Sequence, residues 1–180
     1  AMISAGANAK VRQNYRVVVA GLVDEEGAGT GALGLLESGF RADHIIIGEP
    51  TGVIGIAISY RGSLTFTLTA SSRGGRSSAP YVGESALDKL LDAINEVKAV
   101  FSGSSYEETT SAVTMIRAGD WPTKLPEKAE ATINIRFPPG IDTNSVLEKV
   151  EVIASLHGCK LMIIDSTEPF SASLSSPVPR

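Results

Sequence analysis

The sequence predicts a chain in two parts, an α/β segment followed by a small α+β unit, and three observations carry that prediction. Two near-continuous apolar runs, Arg16 to Val23 and His44 to Gly48, flank a helical pattern. Runs of that kind suit parallel strands covered on both faces. Ser63 to Ser71 instead alternates strictly, setting Leu64, Phe66, Leu68 and Ala70 against Thr65, Thr67 and Thr69. That is the pattern of an antiparallel strand with one face on a core and one half-solvated. Beyond it, two stretches of helical periodicity alternate with further strand-like runs, giving β-α-β-β-α-β, the split βαβ order of a ferredoxin-like sandwich.

Each element follows from local chemistry. Ala1 to Gln13, rich in Ala with Met2, Ile3 and Val11, reads as a short helix. Thr30 to Ser38 reads as a helix with Thr30 as N-cap and Gly39 past its end. Strand, helix and strand in succession imply a right-handed crossover. From Glu84 to Val100, Leu87, Leu90, Leu91, Ile94 and Val97 share one helical face. Ala112 to Arg117 and Glu130 to Phe137 are strands separated by a loop holding Pro122 and Pro126. Asn144 to His157 forms a second amphipathic helix through Val146, Leu147, Val150 and Ile153, and Lys160 to Asp165 is the last strand. Ser166 to Arg180 is a Ser- and Pro-rich tail with too few apolar residues to fold by itself.

Composition narrows the functional classes. At 180 residues, 43% hydrophobic and 20% charged, the chain has the balance of a folded protein rather than a disordered one. A net charge of -4 with no basic cluster argues against nucleic acid as a partner. No apolar run approaches the ~20 residues of a membrane-spanning helix, and no secretory signal opens the chain. The single cysteine, Cys159, rules out an internal disulfide, fits a cytoplasmic location and reads as a small core residue. His44, opening an apolar run, and His157, ending a helix, read as structural.

Four groups of residues bear on chemistry. Asp24-Glu25-Glu26 follows the first apolar run directly, and Glu49 follows the second. In open α/β sheets ligands bind beyond the carboxyl ends of strands, so these carboxylates would converge there, either around a divalent cation that offsets their repulsion or as a solvated acidic loop. Gly27-Ala28-Gly29-Thr30-Gly31-Ala32 matches a G-x-G-x-x-A template, with Glu49 about where a ribose-binding acid belongs. That alternative makes the first part a dinucleotide-binding half of an oxidoreductase, although three acids ahead of the glycines oppose a pyrophosphate. The loop Gly74 to Pro80 carries Arg76 with Ser77 and Ser78, and suits an anion or a linker equally. Arg136 lies opposite Ile133, Ile135 and Phe137 by alternation, as a plain surface cation or as a bidentate clamp for a carboxylate.

Taken in order, Val23-Asp24-Glu25-Glu26-Gly27, Gly48-Glu49-Pro50-Thr51, Tyr60-Arg61-Gly62-Ser63-Leu64, the Gly75 to Pro80 loop and Ile135-Arg136-Phe137-Pro138-Pro139 closely resemble the di-zinc exopeptidase and deacylase family of acetylornithine deacetylase, acetyl-lysine deacetylase and succinyl-diaminopimelate desuccinylase. The resemblance implies a partial catalytic α/β domain over residues 1–61, an inserted lid and dimerisation domain over 62–170, and a return toward the catalytic domain over 171–180. It implies Glu25 as general base, Glu26 and Glu49 as ligands of two different zinc ions (cobalt or manganese being possible), and Asp24 as a neighbour rather than a ligand. It implies substrate contacts from Arg136, Arg76 and Thr123. Arg76 stands where the family usually has His, and Thr123, in Thr123-Lys124-Leu125-Pro126, where it usually has Asn. The family draws its remaining ligands, two His and a bridging Asp, from outside the stretch matched here, so the chain is expected to be an incomplete and inactive portion. The implied activity is removal of an acyl group from a small N-acyl amino acid in cytoplasmic lysine or arginine biosynthesis, by a homodimer joined through the lid. A non-catalytic dimerisation module is the other alternative.

Overall fold

The computed structural model describes residues 2–10, 14–52, 54–173 and 175, and the chain divides into two units, Ala1–Ile56 and Ala57–Arg180. The first unit holds helices α1 (Met2–Asn8) and α2 (Thr30–Glu37). The two apolar runs expected as buried strands do not pair there. Ile45, Ile46 and Ile47 are 70%, 70% and 73% exposed, and Val17, Val18 and Val19 are exposed as well. The physical reason is that a strand satisfies its backbone only through neighbours, and two strands with one crossover helix cannot cover both faces of a sheet. None of the described residues of this unit is buried.

The second unit is where the alternating pattern finds partners. Its strands are β1 (Ser59–Tyr60), β2 (Gly62–Ser71), β3 (Gly75–Arg76), β4 (Thr110–Ala118), β5 (Lys124–Leu125), β6 (Lys128–Phe137), β7 (Lys160–Thr167) and β8 (Phe170–Ser171). Helix α3 (Ala86–Val100) lies between β3 and β4, and α4 (Thr143–Leu156) between β6 and β7. The main sheet has four strands in the order β4-β6-β2-β7, with every pair antiparallel. The order β2-α3-β4-β6-α4-β7 is the expected split βαβ arrangement.

One face of this sheet is the core. Leu64, Phe66, Leu68 and Ala70 of β2 are fully buried, as are Ile133, Ile135 and Phe137 of β6. Over them lie Leu90, Ala93, Ile94 and Val97 of α3 and Val146, Val150 and Ile153 of α4. Leu91, expected on the buried stripe, is 40% exposed, while Ala86 and Ala93 are fully buried. Ser85 caps α3, its hydroxyl accepting from the Asp88 N–H at 3.2 Å, and Asp142 caps α4 by accepting from the Ser145 N–H at 2.9 Å. The opposite face is largely polar, with Met115 and Met162 beside it, yet Ser63 and Thr67 on it are 6% and 4% exposed, because central β2 is shielded by side chains of both neighbouring strands.

The first and last strands of this unit, β1 and β8, run side by side. Ser59 pairs with Ser171 and Tyr60 with Phe170, the Tyr60 and Phe170 rings stack at 5.7 Å, and the Ala172 N–H donates to the Ile58 carbonyl at 2.7 Å. The tail expected not to fold by itself is thus ordered at β8 through its partner β1; residues 174 and 176–180 lie outside the described residues.

Candidate active-site residues

The acidic loop is organised by Asp24. This residue has a left-handed backbone, φ 63, and its carbonyl accepts from the Gly29 N–H at 2.9 Å. Its Oδ2 accepts from the Thr30 hydroxyl at 2.8 Å and from the Thr30 N–H at 3.2 Å. Those bonds, the hydroxyl's first, hold the Asp24 carboxyl below the usual carboxylate range. The N-cap of α2 is Gly29 rather than Thr30, which is the first helical residue. Asp24 reaches across to do what the glycine has no side chain to do. At Gly31 a Cβ would lie 2.5 Å from the Val23 carbonyl oxygen, so the loop closes only around a bare backbone. The glycines therefore serve a tight turn, and the first N–H of α2 is occupied by a carboxylate rather than open to a phosphate.

Glu25 and Glu26 lie in the turn that this arrangement presents to solvent, and Glu49 is exposed after the second apolar run. Among the described residues no three His, Cys, Asp or Glu side chains come together to hold a metal ion. The expected convergence of four carboxylates is not realised, because the strands whose ends were to align them are not paired. By type, the carboxylates of Glu26 and Glu49 suit zinc, manganese or cobalt; by number they fall short of the three or four protein ligands of a stable zinc site.

Two candidate substrate contacts are brought together by the short β3–β5 pair. Arg76 is the cross-strand partner of Lys124, and the Ser77 N–H donates to the Thr123 carbonyl at 3.0 Å. Arg76 and Thr123, 47 positions apart in the chain, thus share one edge. The approach needs glycine: a Cβ on Gly83 would sit 2.8 Å from the Gly74 carbonyl oxygen and 3.0 Å from the Gly75 Cα. Lys124 is neutralised by Glu127 at 3.0 Å and Asp120 at 3.8 Å; Arg76 is exposed and has no ion pair among the described residues.

Arg136 faces away from the core, as alternation requires, and lines an open depression of about 500 Å³ with Ser59, Tyr60, Arg61, Tyr106 and Thr167. This lining contains two guanidinium groups and no carboxylate. Arg61 is bound on one side: its Nη2 donates to the carbonyls of Glu108 at 2.6 Å and Arg136 at 2.7 Å and to the Thr110 hydroxyl at 3.0 Å, and its guanidinium lies 5.8 Å from the Tyr106 ring centroid. Arg136 donates from Nε to Asn134 Oδ1 at 3.1 Å. Arg61 and Asn134 were not among the site residues expected from the sequence. The signals were present, since Arg61 sits within the Tyr60-Arg61-Gly62 motif and Asn134, two residues before Arg136, shares its face.

A family model, the peptidase dimerisation domain of M20 proteins, matches residues 58–158. The chain belongs to the M20 family. As an M20 chain it is 36% identical over 163 residues to a protein of Aeropyrum pernix provisionally named LysW-lysine/LysW-ornithine hydrolase, covering 90% of this chain and 44% of that protein. It is 29% identical to the LysW-lysine/LysW-ornithine hydrolase of Sulfurisphaera tokodaii, covering 91% of this chain and 46% of that one. The chain therefore spans less than half the length of these relatives. Among solved structures, the M20 metallo-carboxypeptidase Sso-CP2 of Sulfolobus solfataricus is similar in fold, with a TM-score of 0.56 and 15% identity over 71% of this chain and 49% of its own.

Proposed function

We propose that this chain is the middle portion of a metal-dependent M20 amidohydrolase that releases lysine or ornithine from an amide-linked acyl group in amino-acid biosynthesis, in the cytoplasm. The observation that carries this is the 36% identity over 163 residues to a LysW-lysine/LysW-ornithine hydrolase, a match long enough to include most of the motifs quoted above. The adjacent β1 and β8 support a unit inserted into a catalytic domain, because an insertion must leave beside the point where it begins. The exposed apolar runs of the first unit support the same reading, since the rest of a catalytic sheet would cover them.

Glu26 and Glu49 are the ligands this chain contributes. A divalent metal, when bound there with ligands from elsewhere, supplies Lewis-acid activation of water and carbonyl. Glu25 takes a proton from the attacking water and delivers it to the nitrogen of the leaving amine, so the amide C–N bond breaks as the new C–O bond forms and the proton count balances. Asp24, engaged with Thr30, fixes the turn that carries Glu25. Arg136, assisted by Arg61, holds the substrate carboxylate through its free nitrogens. Arg76 and Thr123 approach the reacting centre of a second copy across a homodimer.

In the whole protein Glu25→Gln is expected to lower kcat by at least the 10²–10⁴-fold typical of a lost general base while leaving metal content, measured by elemental analysis, unchanged. Loss of the metal instead would mean that Glu25 is a ligand and that the two roles are misassigned.

A further inference from the structure

Arg136 is the one guanidinium in the depression that keeps its Nη1 and Nη2 clear of hydrogen bonds to the described residues. A long arginine with those nitrogens free samples many rotamers, and a clamp that must be ordered on binding binds weakly. Here its orientation is set in advance. Asn134 accepts from Arg136 Nε at 3.1 Å through Oδ1, and its Nδ2 donates to the Ser63 hydroxyl at 3.0 Å and the Thr65 hydroxyl at 2.8 Å. The direction of the amide is forced, because Nε–H is only a donor and can meet only the carbonyl oxygen. That turns Nδ2 toward two hydroxyls, both on β2 and both able to accept. Ser63 is 6% exposed, and β2 is locked in register with β6, with Thr65 opposite Asn134 and Ser63 opposite Arg136. The chain of bonds therefore runs from the central strand through one amide to the guanidinium.

We propose that Asn134 is a positioning residue: it holds Arg136 by Nε so that the Nη1 and Nη2 edge is presented, with its charge intact, to the carboxylate of the substrate. This rests on the reading of Arg136 as the carboxylate clamp. The neutral amide is the essential choice. An aspartate at this position would orient Arg136 equally well but would neutralise it, consuming the charge that the ligand is to meet. An alanine would leave the charge and remove the orientation. The two substitutions thus separate orientation from charge, which a purely structural role does not do.

The test uses the whole protein with Nα-acetyl-L-ornithine and its carboxamide as paired probes, and the 180-residue chain for spectroscopy. Asn134→Ala is expected to raise KM for the acid about tenfold with kcat within about twofold, Asn134→Asp to raise it further, and neither to change KM for the carboxamide, as for other groups that orient a binding residue. In the ¹⁵N-labelled chain, the Arg136 Nε–H signal is expected to be protected from solvent exchange and to lose that protection in Asn134→Ala, whatever the turnover. Arg136→Ala separates the two levels. If it leaves KM for the acid unchanged, the carboxylate reading falls and this proposal with it. If it raises KM for the acid while Asn134→Ala and Asn134→Asp do not, the orientation by Asn134 alone is overturned. An exchange rate at Arg136 Nε–H that is the same with and without Asn134 overturns it as well.

Discussion

Glu108 shows how much of the candidate site hangs on single residues outside it. Its carboxylate accepts from the Ser104 N–H at 2.8 Å and the Ser105 N–H at 3.0 Å, folding the loop back on itself. Its carbonyl takes the Arg61 guanidinium at 2.6 Å. The Ser104 N–H first, and then the Ser105 group, hold the Glu108 carboxyl below the usual carboxylate range. A group held low in the folded chain stabilises it above its ordinary pKa, and that contribution fades as pH falls through the lowered value. The protection of the Ser104 and Ser105 amides, taken as exchange relative to an unstructured amide at the same pH, should therefore fall below about pH 4 and hold level above about pH 6; protection unchanged down to about pH 3 would contradict the assignment. Cys159 illustrates the opposite case: burial pushes its thiol up, which keeps it protonated and unreactive, as befits a core residue.

At the scale of elements, the second unit is held by one buried sheet face, two capped helices and a tie between them. His157, at the C-terminal end of α4, meets Glu96 of α3 at 2.5 Å, so the helices are joined to each other as well as to the sheet. The Ser85 cap is the cheapest place to probe this arrangement. Ser85→Ala removes the acceptor for the Asp88 N–H at the start of α3, and should destabilise the chain by about 1 kcal/mol. Equilibrium denaturation with an unchanged slope and a lower midpoint would confirm it. A cost below about 0.3 kcal/mol would mean that water replaces the cap freely.

At the scale of the whole molecule, the sheet ends in an edge that is apolar where it should be guarded. β4 bounds one side of the sheet. Register puts Val113 opposite Ile133 and Ile116 opposite Ala131, on the helix-covered face, yet Val113 and Ile116 are 38% and 49% exposed. A long edge strand with exposed apolar side chains is a template for pairing, and a two-fold contact places the same residue on both copies. The whole protein should therefore scatter light as a dimer at micromolar concentration, and Ile116→Lys, setting two like charges in one interface, should yield a monomer. A parent protein that is already monomeric at that concentration would remove the route by which Arg76 reaches a second copy.

The four long strands and two helices of the second unit were legible in the sequence, because alternation and helical periodicity are properties of adjacent residues and the split βαβ order follows from their succession; the short strands β1, β3, β5 and β8 were not. The sequence also determined the outward face of Arg136 and the aptness of glycine between Asp24 and Thr30. Contacts formed on folding were needed to establish that Asp24 rather than Thr30 supplies the cap of α2, that Arg76 and Thr123 lie on one edge, and that Asn134 stands between β2 and Arg136. Those are contacts between residues far apart in the chain or between side chains of opposite strands, and no local pattern encodes them. The two apolar runs of the first unit mark the limit from the other direction. Their composition specifies strands, but a strand is completed by its neighbours, and the backbone of these residues has none to pair with among the described residues.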